Sequence, residues 1–221
     1  MNRHVNAIAG RLSLRPPQRH SLEILDRVTE IVPPKKGADI GTALASIKSE
    51  FPTVTDFERE FPSLCFALAT GVGKTRLMGA FISYLHAVHG INHFFVLAPN
   101  LTIYNKLITD FTPNTPKYVF TGIAEFATEP PTIITDDNYE SGVAARLTSL
   151  PGFGQEVHIN IFISQRSTRK FAAERRHESS VYLSTSVRVT SSIWRALKIS
   201  SYSWTSPIAI ARRLGFGLST N

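Results

Sequence analysis

The stretch Leu68-Ala69-Thr70-Gly71-Val72-Gly73-Lys74-Thr75 constrains this 221-residue chain more than any other. Before it, Ser63-Leu64-Cys65-Phe66-Ala67 reads as a short buried strand. After it, Leu77, Ala80, Phe81, Tyr84, Leu85 and Val88 recur at the three- and four-residue spacing of one helix face. A strand, a glycine-containing turn and Gly-Lys-Thr opening a helix form a phosphate-binding loop, or P-loop. Gly71 and Gly73 let backbone N–H groups face an anion with no Cβ in the way. The helix N-terminus adds partial positive charge, Lys74 reaches β- and γ-phosphates, and Thr75 is placed to hold Mg²⁺. The expected contacts to the nucleotide therefore come from Thr70, Gly71, Val72, Gly73, Lys74 and Thr75.

Composition sets the outer limits. With 43% hydrophobic and 19% charged residues the chain is ordinary for a globular protein of one domain, or one and a half. No apolar run approaches the roughly 18–20 residues of a membrane span, so no membrane partner is expected. The single cysteine, Cys65, falls in the expected strand and reads as a buried core thiol in a reducing compartment. Arg3, Arg11, Arg15 and Arg19 precede the first acid, Glu23, as in a mitochondrial presequence. That stretch shows no persistent amphipathic pattern, however, and a cytoplasmic protein is expected. The net charge of +7 suggests nucleic acid, but its distribution argues otherwise. Residues 1–163 hold 14 Lys and Arg against 15 Asp and Glu, whereas residues 164–221 hold 10 against 2. The basicity belongs to the tail, not to the P-loop domain.

Along the chain, Leu14-Arg15-Pro16-Pro17-Gln18 ends an irregular lead-in and opens a helix with Leu22, Leu25 and Val28 on its apolar face. A second helix carries Ile40, Ala43, Leu44 and Ile47. Gly90 stops the helix after the P-loop. Phe94-Phe95-Val96-Leu97-Ala98-Pro99 has the continuous apolar character of a buried parallel strand. Asn100 then caps a helix with Leu101, Tyr104, Leu107 and Ile108. Further strands are expected at Lys117–Phe120, Pro131–Thr135 and Val157–Ile163. Strands alternating with helices predict an α/β fold with a mostly parallel sheet, covered on both faces.

Three segments together resemble the restriction subunit of type III restriction–modification enzymes, a superfamily 2 helicase of the DEAD/DEAH-like kind. They are Leu14–Gln18, the loop from Ala69 to Thr75, and Phe95-Val96-Leu97-Ala98-Pro99-Asn100-Leu101-Thr102-Ile103-Tyr104-Asn105-Lys106-Leu107. The general P-loop has Gly where this chain has Leu68, and Ala-Thr-Gly-Val-Gly-Lys-Thr is the helicase-type variant. The resemblance covers about residues 12–163. It implies an incomplete RecA-like domain that binds ATP and Mg²⁺, in a parent enzyme that couples DNA translocation to DNA cleavage. By the same resemblance Gln18 reads adenine within an Arg-x-x-Gln motif beside Arg15. Pro99 and Asn100, and then Thr121 and Gly122, fall where the family touches the DNA backbone, contacts that need only short polar groups. The implied partners are DNA and a separate modification (methyltransferase) subunit.

The family's Walker B box, typically Asp-Glu-x-His, is not matched, because the chain contains no Asp-Glu dipeptide. Asp136 and Asp137, at the end of an apolar strand, are the nearest substitutes; solvated loop acids are the plainer reading. Thirteen of the last 58 residues are serine, against eight in the preceding 163, and both tryptophans, Trp194 and Trp204, lie there. The chain is expected to divide into a helical lead-in (1–60), a partial RecA-like domain (61–163) and a Ser/Arg-rich tail (164–221) with no persistent periodicity. The tail reads as an out-of-frame or foreign sequence joined to a truncated domain lacking the second RecA-like and nuclease parts; a basic nucleic-acid arm is the other reading. His86, His89 and His93 lack an acid or cysteine to complete a metal set. The expected function is ATP binding without full catalytic competence. The alternatives are a self-sufficient small P-loop NTPase using Asp136 or Asp137, and a non-catalytic DNA-binding protein acting through its tail.

Overall fold

The computed structural model describes residues 2–34, 39–52, 54–57, 62–139 and 156–163, with the backbone of two short strands at 187–189 and 197–198. Three helices come first: α1 (Arg3–Arg11), α2 (Pro16–Ile31) and α3 (Ile40–Glu50). β1 (Leu64–Cys65) leads into the P-loop and α4 (Lys74–His89). Then come β2 (His93–Ala98), α5 (Leu101–Phe111), α6 (Ala124–Thr128), β3 (Thr132–Thr135), α7 (Asp136–Tyr139) and β4 (His158–Ile163), followed by β5 (Val187–Val189) and β6 (Leu197–Lys198).

β4 lies between β2 and β3 and is parallel to both, with His93 opposite His158 and Thr132 opposite His158 on its other side. β5 adds antiparallel to the remaining edge of β2. β1 stands outside this sheet and pairs in parallel with β6. The fold is thus α/β, with a parallel three-stranded sheet and flanking helices.

The main core forms on one sheet face. Phe94, Val96 and Ala98 of β2 and Ile159, Ile161 and Ile163 of β4 join Val5 and Ile8, Leu22 and Leu25, and Tyr104 and Leu107 from α1, α2 and α5. On the opposite face Leu97, Ile134 and Phe162 form a smaller cluster, where Tyr139 stands edge-on to Phe162. α4 is buried nearly all round: Met78, Ile82 and Ser83 are as enclosed as Leu77, Phe81 and Tyr84. Its sequence face of Leu77, Ala80, Phe81, Tyr84 and Leu85 is therefore part of a wider contact with α1, α2 and the sheet side.

Several sequence expectations are corrected. Residues 3–11 are not an irregular lead-in but a helix whose Val5, Ile8, Ala9 and Leu12 are buried at helical spacing. The amphipathic pattern was present but short, and α1 uses it to pack on α4 and α2. Lys117–Phe120 is not a strand. It forms a turn in which the Tyr118 N–H donates to Thr115 O and the Val119 N–H to Asp110 O, so its apolar residues enter the core from a loop. The strand before the P-loop shortens to Leu64–Cys65, and Cys65 is exposed rather than a core thiol because Phe66 takes the inward place.

Gly122 sits against the end of α1. A Cβ there would lie 2.3 Å from Arg11 O, a backbone atom that cannot step aside. Gly122→Ala is expected to cost about 1–3 kcal/mol through overpacking, read as a lowered urea midpoint.

Candidate nucleotide and DNA site

The P-loop begins where β1 ends and closes on the first turn of α4. Gly71 has φ +78° and Gly73 has φ +92°, both in the region that disfavours a side chain. Gly73 is the N-cap of α4 and offers no side chain of its own, so the first N–H groups of the helix are left for another acceptor. Lys74 and Thr75 open the helix, both half-buried. A nest of N–H groups, a helix dipole, an ammonium and a hydroxyl in this order suit a polyphosphate and its metal ion.

The N-terminus of α2 braces this loop. The Gln18 amide accepts from the Arg15 backbone N–H at 2.7 Å and donates to Gly73 O at 2.8 Å. The Arg15 guanidinium donates to Gly71 O at 3.2 Å. Two loop carbonyls, whose negative ends oppose an anion, are thus engaged from the α2 side. Gln18 is only 1% exposed, and each end of its amide keeps one further hydrogen-bond site. An adenine edge needs one donor and one acceptor, so the chemistry fits, although the purine must displace what now covers the amide. Arg15, Gln18 and the 71–75 loop, 55 residues apart in the chain, therefore form one cluster.

The remaining residues singled out from the sequence lie elsewhere. Pro99 and Asn100 follow the C-terminal end of β2, where Asn100 Oδ1 accepts from the Ile103 N–H at 3.0 Å and caps α5. Thr121 and Gly122 are exposed in the turn before α6, with the Thr121 hydroxyl donating to Tyr118 O. Asp136 and Asp137 open α7 at the end of β3, and the Asp136 N–H donates to the Tyr104 hydroxyl oxygen at 3.3 Å. The topology puts both acids at the outer strand, with β4 between β3 and β2.

The histidines are placed by packing. His86 meets Asn92 Oδ1 at 2.9 Å and stacks on Phe126, and His89 stands edge-on to Tyr84. His93 stacks on His158 across the β2–β4 pair, with ring centroids 5.0 Å apart. Burial holds His89, His93 and His158 below the ordinary imidazole value of 6.5, and His158 adds to the effect at His93. The folded state thus prefers them neutral, and the unfolded chain binds more protons. Their contribution to stability is complete above pH 6.5 and is lost as pH falls below it. Urea midpoints are expected to drop between pH 7.5 and 5.5, and less so in a His93→Phe variant, which keeps a ring but not a titrating one.

Sequence reasoning missed the brace. The Arg-x-x-Gln spacing pointed to Gln18, but its hold on Gly73 O depends on α2 lying beside a loop far along the chain. It also missed the role of α1, whose end meets Gly122. Among the described residues, no helix is long and apolar enough to cross a membrane.

No curated protein and no solved structure matches the chain significantly. A family model does: that of the type III restriction enzyme, res subunit, over residues 11–196. The match opens at the end of α1, takes in Arg15, Gln18, the P-loop and β2 to β4, and runs past residue 163. With most of its length matched, the chain belongs to the family of type III restriction enzyme res subunits.

Proposed function

We propose that this chain is the ATP-binding part of a DNA translocase of the restriction type. The observation that carries the reading is the cluster of Arg15, Gln18, Gly71, Gly73, Lys74 and Thr75 at the start of α4. The loop N–H groups and Lys74 hold the β- and γ-phosphates, and Thr75 supplies a metal ligand. Mg²⁺ bound there neutralises phosphate charge. Gln18 reads the adenine edge while keeping Gly73 in place. Residues 1–60 brace the loop, 61–163 form the body of the domain, and 164–221 lie outside that division. Pro99, Asn100, Thr121 and Gly122 meet the DNA backbone, and a methyltransferase subunit supplies sequence recognition. The setting is cytoplasmic.

Binding is proposed without efficient hydrolysis. Phosphoryl transfer is mainly positioning of metal and water by acids, and Asp136 and Asp137 sit at the far edge of the sheet. The test is a titration of residues 1–221 with a fluorescent ATP analogue and Mg²⁺. Wild type is expected to bind and Lys74→Ala to lose at least about tenfold in affinity, the loss of one charge-assisted contact to phosphate. Equal binding by both proteins would remove the P-loop from the account.

A further inference from the structure

Among the described residues, the parallel neighbour of the P-loop strand is the two-residue β6. β1 makes no pair with β2, β3 or β4. Among the described residues, β5, three residues running antiparallel, lies beside β2, and β6, two residues, lies beside β1. The missing piece is an apolar parallel strand with an acid at its C-terminal end, beside the phosphates, where P-loop enzymes hold the metal.

The genetic code admits that piece in the neighbouring frame of the tail. Each pair of adjacent residues is spanned by a codon in the neighbouring frame, made of the third base of one codon and the first two of the next. When the second residue's codon begins with T, the spanning codon has T in the middle and encodes only Phe, Leu, Ile, Met or Val. Ser200-Ser201-Tyr202-Ser203-Trp204 is a run of residues whose codons begin with T in most or all cases. The codons spanning Ser201/Tyr202 and Ser203/Trp204 are apolar whatever serine codons are used. Those spanning Ile199/Ser200, Ser200/Ser201 and Tyr202/Ser203 are apolar for every TCN serine. The next is fixed: TGG followed by ACN, for Trp204 and Thr205, spells GAC, aspartate. Thr205/Ser206 then admits Glu, and Pro207/Ile208 admits His, which completes Asp-Glu-x-His. With TCN serines, a serine-rich stretch in one frame is a five-residue apolar run ending in acid in the other, the length of a short strand.

We propose that the coding sequence changes frame upstream of Ser200, and that the neighbouring frame encodes the strand and carboxylates that complete this nucleotide site. The inference rests on the P-loop reading above and names what that site lacks.

The test is the nucleotide sequence spanning codons 199–208, read from the gene. The expected result is five consecutive apolar codons, then GAC and a glutamate codon, with no stop in that frame. A stop, a polar codon within the run, or any codon other than glutamate after GAC overturns the proposal. The two readings fail separately. If the frame reads as expected while residues 1–221 bind ATP equally with and without Lys74, the nucleotide reading falls and the frame change stands.

Discussion

Phe81→Ala is expected to lower the stability of the domain by about 3–5 kcal/mol, a large share of a typical 5–15 kcal/mol. Phe81 is fully enclosed in the middle of α4, and its ring lies 4.9 Å from that of Phe66, the residue through which the chain enters the P-loop. Truncation removes the ring's contacts with the core and leaves a cavity between α4 and the segment that carries the loop. Urea denaturation should show a large drop in midpoint with little change in slope. Nucleotide affinity should fall with it, because β1 has no partner in the main sheet and depends on packing to keep its place. A drop below about 1 kcal/mol would mean that the core collapses around the smaller side chain and that α4 is less central than its burial implies.

Gly73→Ala is expected to abolish ATP binding while sparing most of the fold. At φ +92° an added methyl strains the backbone by about 1–2 kcal/mol. The new Cβ would also lie 2.7 Å from Gln18 Nε2, the atom that donates to Gly73 O. Either the loop shifts or the bond breaks, and both disturb the N–H groups proposed to receive phosphate. The pair Gln18→Ala with Gly73→Ala separates the two causes. Removing Gln18 relieves the clash but not the φ strain, so partial recovery of binding would assign the damage to the clash with Gln18. Unchanged binding in Gly73→Ala alone would show that the loop does not need its present conformation.

How much of this was visible beforehand differs by element. Local signals with a single physical cause were legible: Asn100 as a cap, Gly90 as a stop, the apolar run of β2, and the proline-led start of α2. Each depends on its nearest residues only. Long-range choices were not. Lys117–Phe120 has strand composition, yet its N–H groups find Thr115 and Asp110 before any strand partner. α1 was hidden because its apolar stripe spans only nine residues among arginines, and tertiary packing, not propensity, sustains so short a helix. The site divides the same way. The Gly-Lys-Thr turn announces itself, whereas the closure of Gln18 and Arg15 onto it needs α2 folded back beside α4. Gly122, read as a DNA contact, also has a structural duty against Arg11 that no spacing rule contains.

The proposed function rests on one claim, that the P-loop cluster binds ATP without an acid beside it, among the described residues, to turn it over. The most direct measurement is ATP binding and steady-state turnover by residues 1–221, each with and without DNA and with Lys74→Ala beside it. The account predicts binding that depends on Lys74 and no turnover under either condition. DNA-stimulated, Lys74-dependent turnover would contradict it: the chain would then supply its own catalytic acid, and Asp136 and Asp137 would be the first residues to replace.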